Sequence, residues 1–363
     1  MLRFHDGPVN AVAFLKNGDA VTGGGDSRIA IWRAGQAKPL RTFEGHQGPI
    51  AAIAVSPDGE TVASASWDRT IRLWALGTGT HRVLEGHTQA VNAVAFAQDG
   101  ATLISAGYDA TIRWWPLAGG QNAVLTVPSP LNAIALLPDR EIVAGGASGK
   151  LFLVTAGGQL RETLDASPAP ITALAVSPNG ERIAAGGTRG AVIVVNRKAE
   201  RIEQTLIGPG IPIWAVAFSP DGRVLMTGGA DRAIRRWDAA KGDAIDPASA
   251  AADDTLAAYA GDHGADVFRA CVACHTLGPD EGNKAGPSLA GLFGRRIATL
   301  PGYDFSPALK KLDIVWTPET VSKLFEVGPA EYTPGTKMPE QRITSAEDRQ
   351  ALVRFLEKAT AAK

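Results

Sequence analysis

Hydrophobic and polar residues alternate in six short runs across the first two-thirds of the chain. The runs open 40 to 42 positions apart, on Val9, Ile50, Val91, Leu131, Ile171 and Ile213. Alternation with a period of two predicts β-strands that bury one face. A run is followed by a turn such as Ser56-Pro-Asp-Gly59, a strand of small residues such as Ala63-Ser-Ala-Ser66, and a strand such as Thr70-Ile-Arg-Leu-Trp74. About forty residues per unit is the length of four antiparallel strands, which predicts one blade of a β-propeller per copy.

The last hundred residues have a helical period instead. Leu352, Val353, Phe355 and Leu356 form an apolar stripe at helical spacing, and Thr344-Ser-Ala-Glu347 before it is typical of a capping box. Val267 and Phe268 predict a short helix that begins near Gly261-Asp-His-Gly264 and buries Phe268 against Leu352 and Phe355. Residues 241–254 have no apolar periodicity and are interpreted as a linker. The predicted domains are therefore 1–240, 241–254 and 255–363.

The strongest chemical motif is Cys271-Val-Ala-Cys274-His275. This C-x-x-C-H spacing is typical of c-type haem attachment, in which two thiols form thioethers and the histidine is the proximal iron ligand. A zinc ribbon would need a second pair of ligands. A thioredoxin-like dithiol would open a helix after a strand. The chain has only two cysteines, so no thiol is left for a disulfide.

A methionine is the usual sixth ligand in an electron-transfer cytochrome. The chain has three methionines, and Met338 alone follows the motif. It lies in the Pro/Gly-rich segment Tyr332-Thr-Pro-Gly-Thr-Lys-Met-Pro339, where a methionine that only fills a core is not expected. Met338 is therefore the candidate sixth ligand.

Residues 255–363 resemble class I cytochrome c, specifically the mitochondrial and alphaproteobacterial type. The matching segments occur in the family order: Cys271-Val-Ala-Cys-His-Thr276, Gly286-Pro-Ser-Leu289, Gly291-Leu-Phe-Gly-Arg295, Pro301-Gly-Tyr303, Ala308-Leu-Lys-Lys311, Trp316 and Pro334-Gly-Thr-Lys-Met338. The resemblance implies an all-α domain with one covalently attached haem c.

The same resemblance implies roles for individual residues. His275 and Met338 would be the axial ligands of the haem iron, and the carbonyl of Pro287 would accept a hydrogen bond from the other ring nitrogen of His275. Arg295 and Trp316 fall at positions that contact a haem propionate. Phe305 stands where a tyrosine is common, and Leu324 or Phe325 replaces the family tyrosine near the methionine ligand.

The repeats resemble the WD-repeat, or beta-transducin-like, family. The characteristic motifs are Glu44-Gly-His46, Glu85-Gly-His87 and Trp237-Asp238. In that family a histidine, a hydroxyl, an aspartate and a tryptophan form a hydrogen-bonded set inside each blade. Copies one to three offer the whole set: His5, Thr22, Asp26 and Trp32; His46, Ser64, Asp68 and Trp74; His87, Ser105, Asp109 and Trp115. Copy six offers Thr227, Asp231 and Trp237, while copies four and five lack the set.

This assignment removes three of the four propeller histidines from any metal or catalytic cluster. His81 remains and is expected to be a solvated surface residue. The propeller is therefore expected to hold no catalytic site.

Six copies predict six blades. Leu2-Arg-Phe4 resembles Leu40-Arg-Thr-Phe43 before a Gly-His turn, so it is expected to supply the outer strand of the last blade and close the ring. Seven blades are the alternative, since seven is commoner in the family and a first copy could be missing.

Charge and hydropathy exclude several classes of partner. The net charge is −1, so nucleic acid is not an expected partner. The chain contains no apolar run of about 18 residues, so no spanning helix is expected. Lys284, Lys310, Lys311 and Lys337 could form a local positive rim, although a mixed solvated surface is favoured.

No signal peptide is visible in the first 25 residues. Because bacterial haem c assembly occurs outside the cytoplasmic membrane, we expect a precursor that begins upstream and a periplasmic location.

Three functions fit these features. The leading hypothesis is an electron-transfer cytochrome whose propeller docks it to a redox partner, such as an oxidase, a reductase or a dehydrogenase. The second is an enzyme, in which a propeller dehydrogenase or reductase passes electrons to its fused cytochrome. The third is a structural or assembly scaffold.

Overall fold

The computed structural model describes residues 4–207, 212–230, 233–245, 256–278, 281–284, 286–336, 338 and 341–361. The chain divides into two compact units, Met1–Ala248 and Ser249–Lys363. Most of the predicted linker lies outside the described residues.

The first unit is a six-bladed β-propeller, as the repeat predicted. Five sheets have four antiparallel strands in sequential order, and the sixth sheet has three strands among the described residues. The strands of the first three blades are β1 (Val9–Phe14), β2 (Ala20–Gly24), β3 (Ile29–Trp32), β4 (Arg41–Phe43); β5 (Ile50–Val55), β6 (Thr61–Ser66), β7 (Ile71–Ala75), β8 (His81–Leu84); β9 (Val91–Phe96), β10 (Thr102–Gly107), β11 (Thr111–Pro116) and β12 (Ala123–Thr126). Those of the last three are β13 (Leu131–Leu136), β14 (Ile142–Gly146), β15 (Lys150–Val154), β16 (Leu160–Asp165); β17 (Ile171–Val176), β18 (Arg182–Gly187), β19 (Ala191–Asn196), β20 (Arg201–Ile207); β21 (Ile213–Phe218), β22 (Val224–Gly229) and β23 (Ile234–Asp238).

Adjacent blades bury apolar residues against each other. Between the first two blades, Ile29 and Ile31 of one pack with Ile50 and Trp74 of the other in a single cluster. Equivalent clusters join the later neighbours. The apolar residues whose alternation predicted strands therefore lie in the interfaces between blades, because opposite faces of each strand contact different neighbours.

Side-chain amides also link neighbouring blades. The register of the first two strands shifts around the second residue of the run in the first, third and fourth blades, which is typical of a β-bulge. That residue is an asparagine, and its Nδ2 donates to a backbone carbonyl of the next blade at 2.9–3.0 Å: Asn10 to Ile50, Asn92 to Leu131 and Asn132 to Ile171.

The glycines before His46 and His87 are required by geometry. Gly45 and Gly86 both have a φ of 154°, which disfavours other residues. A Cβ atom on Gly45 would also lie 3.3 Å from Cη2 of Trp74 and 2.8 Å from Nη1 of Arg72. The Gly-His pair therefore brings the backbone against the tryptophan of the blade.

The outer edge of the sixth blade differs from the expectation. Ala244 forms an antiparallel bridge with Trp237 of β23, and the Ile245 amide donates to the Arg236 carbonyl at 2.9 Å. The segment after β23 thus pairs at the edge where Leu2-Arg-Phe4 was expected. Leu2 and Arg3 lie outside the described residues, and so does Asp231 of copy six.

The second unit is small and helical. Its helices are α1 (His263–Phe268), α2 (Pro318–Val327), α3 (Pro329–Tyr332) and α4 (Ala346–Ala359), with single 3-10 turns at Ala257–Tyr259, Cys271–Ala273 and Leu309–Lys311. Asp262 caps α1 by accepting from the amides of Gly264 and Ala265. The cap of α4 was predicted wrongly, because Ser345 accepts from the Asp348 amide where a capping box of Thr344 and Glu347 was expected.

Helices α1 and α4 cross at close range, as expected from their apolar stripes. The rings of Phe268 and Phe355 lie 5.4 Å apart, and Leu352 belongs to the same buried cluster. A Cβ atom on Gly264 would lie 2.1 Å from the carbonyl oxygen of Ala351 and 2.5 Å from Cβ of Phe355. Gly264 therefore permits the close contact between α1 and α4. The C-x-x-C-H segment follows directly after α1.

Candidate cofactor site

The C-x-x-C-H motif forms one tight turn directly after α1. The amides of Cys274 and His275 both donate to the carbonyl of Cys271, at 3.1 and 2.9 Å. Cys271 is buried, Cys274 is half-buried, and neither forms a disulfide. The turn therefore presents both thiols and the imidazole from a single short segment, as covalent haem attachment requires.

The thiols do not have the electrostatics of a redox dithiol. Burial raises the pKa of Cys271 to about 12, and burial also raises the pKa of Cys274. Reactive dithiols need a lowered pKa, because the thiolate is the nucleophile. Buried thiols with raised pKa values are poor nucleophiles, so the site does not favour disulfide exchange.

The imidazole of His275 is oriented by one hydrogen bond. Its Nδ1 lies 2.7 Å from the carbonyl oxygen of Pro287, which is the contact predicted from the sequence. A carbonyl only accepts, so Nδ1 carries the proton and Nε2 keeps its lone pair. Burial lowers the pKa of His275, which favours the neutral imidazole that ligates metals.

The segment before Pro287 closes on the same ring. The amide of Gly286 donates to the Cys274 carbonyl at 2.7 Å. A Cβ atom on Gly286 would lie 2.5 Å from Cε1 of His275, so a larger residue would push the imidazole aside. In the sequence, Gly286 is only one residue of a segment that matches the cytochrome c family. Its steric role beside the imidazole is visible only in the structure.

Two further polar residues hold this loop. Thr276 is 3% exposed, and its hydroxyl donates to the Gly282 carbonyl at 2.6 Å. The Oδ1 atom of Asn283 accepts from the Ser288 amide at 2.8 Å. Sequence reasoning missed Asn283, since a single asparagine in a Gly-rich loop carries no distinguishing signal.

Met338 lies at the edge of the same core. It is half-buried and packs against the cluster that contains Cys271, Leu292 and Phe325. Its amide donates to the hydroxyl of Thr336 at 3.0 Å, which holds the loop backbone. The axial role of Met338 stays a prediction.

Arg295 and Trp316 are joined through their backbones. The Trp316 amide donates to the Arg295 carbonyl at 3.0 Å. The Arg295 guanidinium donates to the carbonyls of Ala290 and Ser288, both at 2.9 Å. Burial lowers the pKa of Arg295. These bonds fix the guanidinium in the loop that follows Pro287, and its contact with a propionate remains a prediction.

One lysine of the predicted positive rim lies beside a carboxylate, and another donates to a backbone carbonyl. The ammonium of Lys284 donates to the Val272 carbonyl at 2.6 Å, and Lys310 lies 3.5 Å from Asp304. Lys337 lies outside the described residues. The net charge of this rim stays a prediction.

The hydrogen-bonded sets predicted in the first three blades are confirmed. In the second blade, His46 bonds Asp68 and Ser64, both at 2.7 Å, and Nε1 of Trp74 donates to the Ser64 hydroxyl at 2.8 Å. Equivalent bonds of 2.8–3.0 Å join the sets of the first and third blades: His5, Thr22, Asp26 and Trp32; His87, Ser105, Asp109 and Trp115. These histidines are structural.

The expectation for His81 was only half right. The residue is exposed, but its Nε2 lies 2.5 Å from Nη1 of Arg72 and its ring lies 4.7 Å from that of Trp74. Burial and the charge of Arg72 lower the pKa of His81. Across the described ranges, no group of three or more histidine, cysteine, aspartate or glutamate residues could hold a metal ion.

The site residues fit a covalently bound haem. The two thiols share one turn, the imidazole presents Nε2, and a glycine leaves room beside the ring. No helix among the described residues is long and apolar enough to cross a membrane. Fold and site together define a two-domain c-type cytochrome with an N-terminal propeller.

Comparisons with known proteins agree in both units. The WD domain, G-beta repeat family matches residues 1–33, 37–75, 79–116, 158–196 and 201–238, and the cytochrome c family matches residues 261–360. Cytochrome c of Cochliobolus lunatus is 43% identical over 98 residues, which are 27% of this chain and 90% of the relative. Cytochrome c of Arabidopsis thaliana is also 43% identical over 98 residues, covering 27% of this chain and 87% of the relative. Cytochrome c type-1 of Ascaris suum is 39% identical over 97 residues, covering 26% and 83%.

The chain therefore belongs to the WD40 repeat family through its propeller and to the cytochrome c family through its C-terminal unit. It carries one covalently bound haem c, for which Cys271 and Cys274 are present. The cytochrome unit supports electron transfer, and the WD40 propeller supports protein interaction.

Proposed function

We propose that this protein is a periplasmic electron carrier whose haem iron is held between His275 and Met338, and whose propeller docks it to a redox protein. The single observation that carries the proposal is the 2.7 Å contact between His275 Nδ1 and the Pro287 carbonyl. That contact fixes the tautomer and aims Nε2 away from the loop, as an axial ligand requires.

Met338 supports a carrier over a catalyst. When bound, the haem supplies a one-electron couple, and a methionine thioether opposite the histidine raises its potential. With His275 and Met338 both holding the iron, a substrate would find no open position on it. The half-buried packing of Met338 against the core that includes Cys271 supports this assignment.

The propeller supplies binding and not a second redox site. Its histidine sets are saturated by hydrogen bonds within each blade, so their ring nitrogens are occupied. A rigid propeller beside a carrier raises the local concentration of the haem near whatever the propeller binds. A redox protein is the partner that gains from this, because electron transfer needs proximity.

The periplasmic location rests on the thioether chemistry. Bacterial haem c assembly takes place outside the cytoplasmic membrane, so a chain with this C-x-x-C-H turn is matured there. Fractionation of cells that express the natural protein, followed by haem staining, measures this directly. Haem-bearing protein found only in the cytoplasm would contradict the location without touching the ligand assignment.

The ligand assignment is tested by Met338→Ala, with Met226→Ala as the matched methionine control. The first variant is expected to bind carbon monoxide when reduced and to lose its low-spin absorption spectrum, because one axial position becomes open. Met226 lies on β22 of the propeller, so its loss is expected to leave the haem spectrum unchanged. A Met338→Ala protein that stays low-spin and excludes carbon monoxide would show that another group is the sixth ligand.

The carrier role is tested with full-length protein in two reductions of the oxidised haem. Partner-dependent reduction, by a membrane or periplasmic fraction that contains redox proteins, is the expected result. Reduction by small-molecule substrates with the purified chain alone would favour the dehydrogenase alternative instead.

A further inference from the structure

The first blade exposes an apolar face whose counterpart in the third blade is buried. Val9, Val12 and Phe14 of β1 are 54%, 60% and 70% exposed. The residues at the same repeat positions in the third blade are at most 8% exposed: Val91, Val94 and Phe96. These are the residues that face the preceding blade, as Ile50 of the second blade faces Ile29 of the first.

The sixth blade exposes the opposite face. Ile234 of β23 is 76% exposed, and Arg236 on the same side of the strand is exposed as well. The counterparts of Ile234 in the first five blades are at most 1% exposed: Ile29, Ile71, Ile112, Leu151 and Val192. These residues face the following blade, as Ile71 does in the cluster with Val91.

The two exposed faces therefore correspond to the two sides of the interface found between each of the five pairs of adjacent blades. Burying large aliphatic and aromatic side chains is the main driving force for such packing. A closed six-bladed ring would bury the two faces against each other, and the exposure of Phe14 and Ile234 shows that they are apart.

Phe4 identifies what lies next to the first blade. Its ring packs on Trp32 in a T-shaped contact with centroids 6.4 Å apart. In the next repeat, Phe43 packs on Trp74 at 5.4 Å, and Phe43 is the last residue of β4, the outer strand of the preceding blade. Phe4 directly precedes His5, whereas Phe43 stands three residues before His46, but both rings reach the blade tryptophan from the chain that leads into the blade histidine. In the second blade that chain is the end of the preceding blade's outer strand, so Phe4 marks the corresponding place beside the first blade.

The sixth blade does not use this segment at its own edge. Ala244 pairs with Trp237 there, seven residues later in the chain, as His81 pairs with Trp74 in the second blade. The edge beside β23 is therefore paired by the segment that follows it. In each of the five four-stranded blades the outer strand likewise follows the third strand of its own sheet.

We propose that the propeller is completed by a seventh blade, whose outer strand ends at Phe4 and whose three inner strands precede residue 1 in the same polypeptide. The blade would be a WD-type sheet of about 40 residues. It would present small and aliphatic residues to Phe14 and an aromatic, aliphatic face to Ile234, as each existing blade does to its neighbours.

Thiol labelling tests whether the two faces are uncovered in the 363-residue chain. With both native cysteines held in thioethers, Phe14→Cys and Ile234→Cys each introduce the one reactive thiol. They are expected to react at least about tenfold faster than the matched buried controls Phe96→Cys and Ile71→Cys, because a buried thiol reacts only after local opening. Thermal melts of the propeller, followed by circular dichroism, verify that each variant is folded.

A chain extended by one blade tests the occupant. A second copy of residues 87–122, which contains β9 to β11, is placed ahead of Leu2 so that Leu2-Arg-Phe4 follows a third strand. Labelling at Phe14→Cys and Ile234→Cys is expected to fall to the rate of the buried controls, and the melting temperature of the propeller is expected to rise. The natural protein, purified from its source, is expected to exceed the mass of this chain plus one haem by about 35 or more residues.

Three results would overturn the proposal. Slow labelling of both positions in the monomeric 363-residue chain would mean that six blades close the ring. Slow labelling that appears only at high concentration, with dimers in sedimentation, would mean that a second copy covers the faces. Rapid labelling that persists in the extended chain would mean that a WD-type blade does not fit the gap.

Discussion

The histidines of the propeller and the histidine of the helical unit use the same ring in opposite ways. His46 bonds a carboxylate through Nδ1 and a hydroxyl through Nε2, both at 2.7 Å. His275 bonds only a backbone carbonyl through Nδ1 among the contacts described, which leaves Nε2 for a ligand. A saturated imidazole stabilises a fold, whereas a half-saturated and oriented imidazole is available for chemistry. The difference places the imidazole that is available to ligate a metal in the smaller unit.

The largest expected effect comes from His275→Ala. Loss of the proximal ligand is expected to abolish the low-spin haem spectrum, because no other imidazole occupies the turn. The matched change His46→Ala is expected to leave the haem spectrum intact. Absorption spectra of both purified variants make the comparison, and an unchanged spectrum in the His275 variant would remove the histidine from the iron.

The reverse asymmetry is expected in the stability of the propeller. His46→Ala removes the hydrogen bonds of the buried ring to Asp68 and Ser64 and leaves a cavity, and it is expected to cost about 3 kcal/mol of unfolding free energy. His81→Ala, at an exposed position, is expected to cost no more than about 0.5 kcal/mol. Denaturant unfolding of the propeller gives both values. Equal costs would mean that the histidine set contributes nothing beyond surface contacts.

Gly286→Ala is expected to disturb the ring of His275 by steric contact alone. The added Cβ would lie 2.5 Å from Cε1 of the imidazole, and overpacking of this kind costs about 2 kcal/mol. The matched control Gly278→Ala adds a Cβ that meets only the flexible carboxylate of Glu281. Thermal unfolding of the cytochrome unit and the haem spectrum report the effect, and equal results for the two variants would contradict the steric role.

Acid is expected to weaken the propeller through the buried carboxylate of Asp109. Burial by itself would raise the pKa of Asp109, but hydrogen bonds from His87 and from the Thr88 amide lower it to about 2, below its ordinary value of 3.8. The carboxylate therefore stabilises the fold above pH 4, and this contribution is lost as the pH falls toward 2.

The expected loss of unfolding free energy from Asp109 alone is about 1 kcal/mol at pH 3 relative to pH 7. Unfolding at the two pH values, compared between the parent and Asp109→Asn, isolates this term because asparagine does not titrate. An equal acid sensitivity in both proteins would assign the effect to other carboxylates.

Much of the local structure could be predicted because each signal was local or repeated. The copies at 40 to 42 residues predicted six sheets, and the C-x-x-C-H spacing predicted a turn with two thiols and an imidazole. The sets of histidine, hydroxyl, aspartate and tryptophan were also confirmed in three blades. The cap of α4 was misplaced by one residue, since Thr344 and Ser345 are both good caps and only the backbone selects one.

Other features were not visible in the pattern. The role of Gly286 depends on a contact with a ring eleven residues earlier, and the role of Gly264 depends on a helix crossing with Ala351. Neither glycine differs in sequence from those that simply turn the chain. Such roles belong to distances between segments, which a one-dimensional pattern does not contain.

The sequence by itself determined the blade unit, the attachment motif and the two-domain order, because hydrophobic period and motif spacing are properties of short segments. Only the tertiary structure decided which ring nitrogen of His275 remains available, and that the faces of the first and sixth blades stand uncovered. The physical reason is that burial and tautomer depend on what a residue meets across the fold. Val9 and Val91 begin the same sequence Val-Asn-Ala-Val-Ala-Phe, yet one is 54% exposed and the other fully buried.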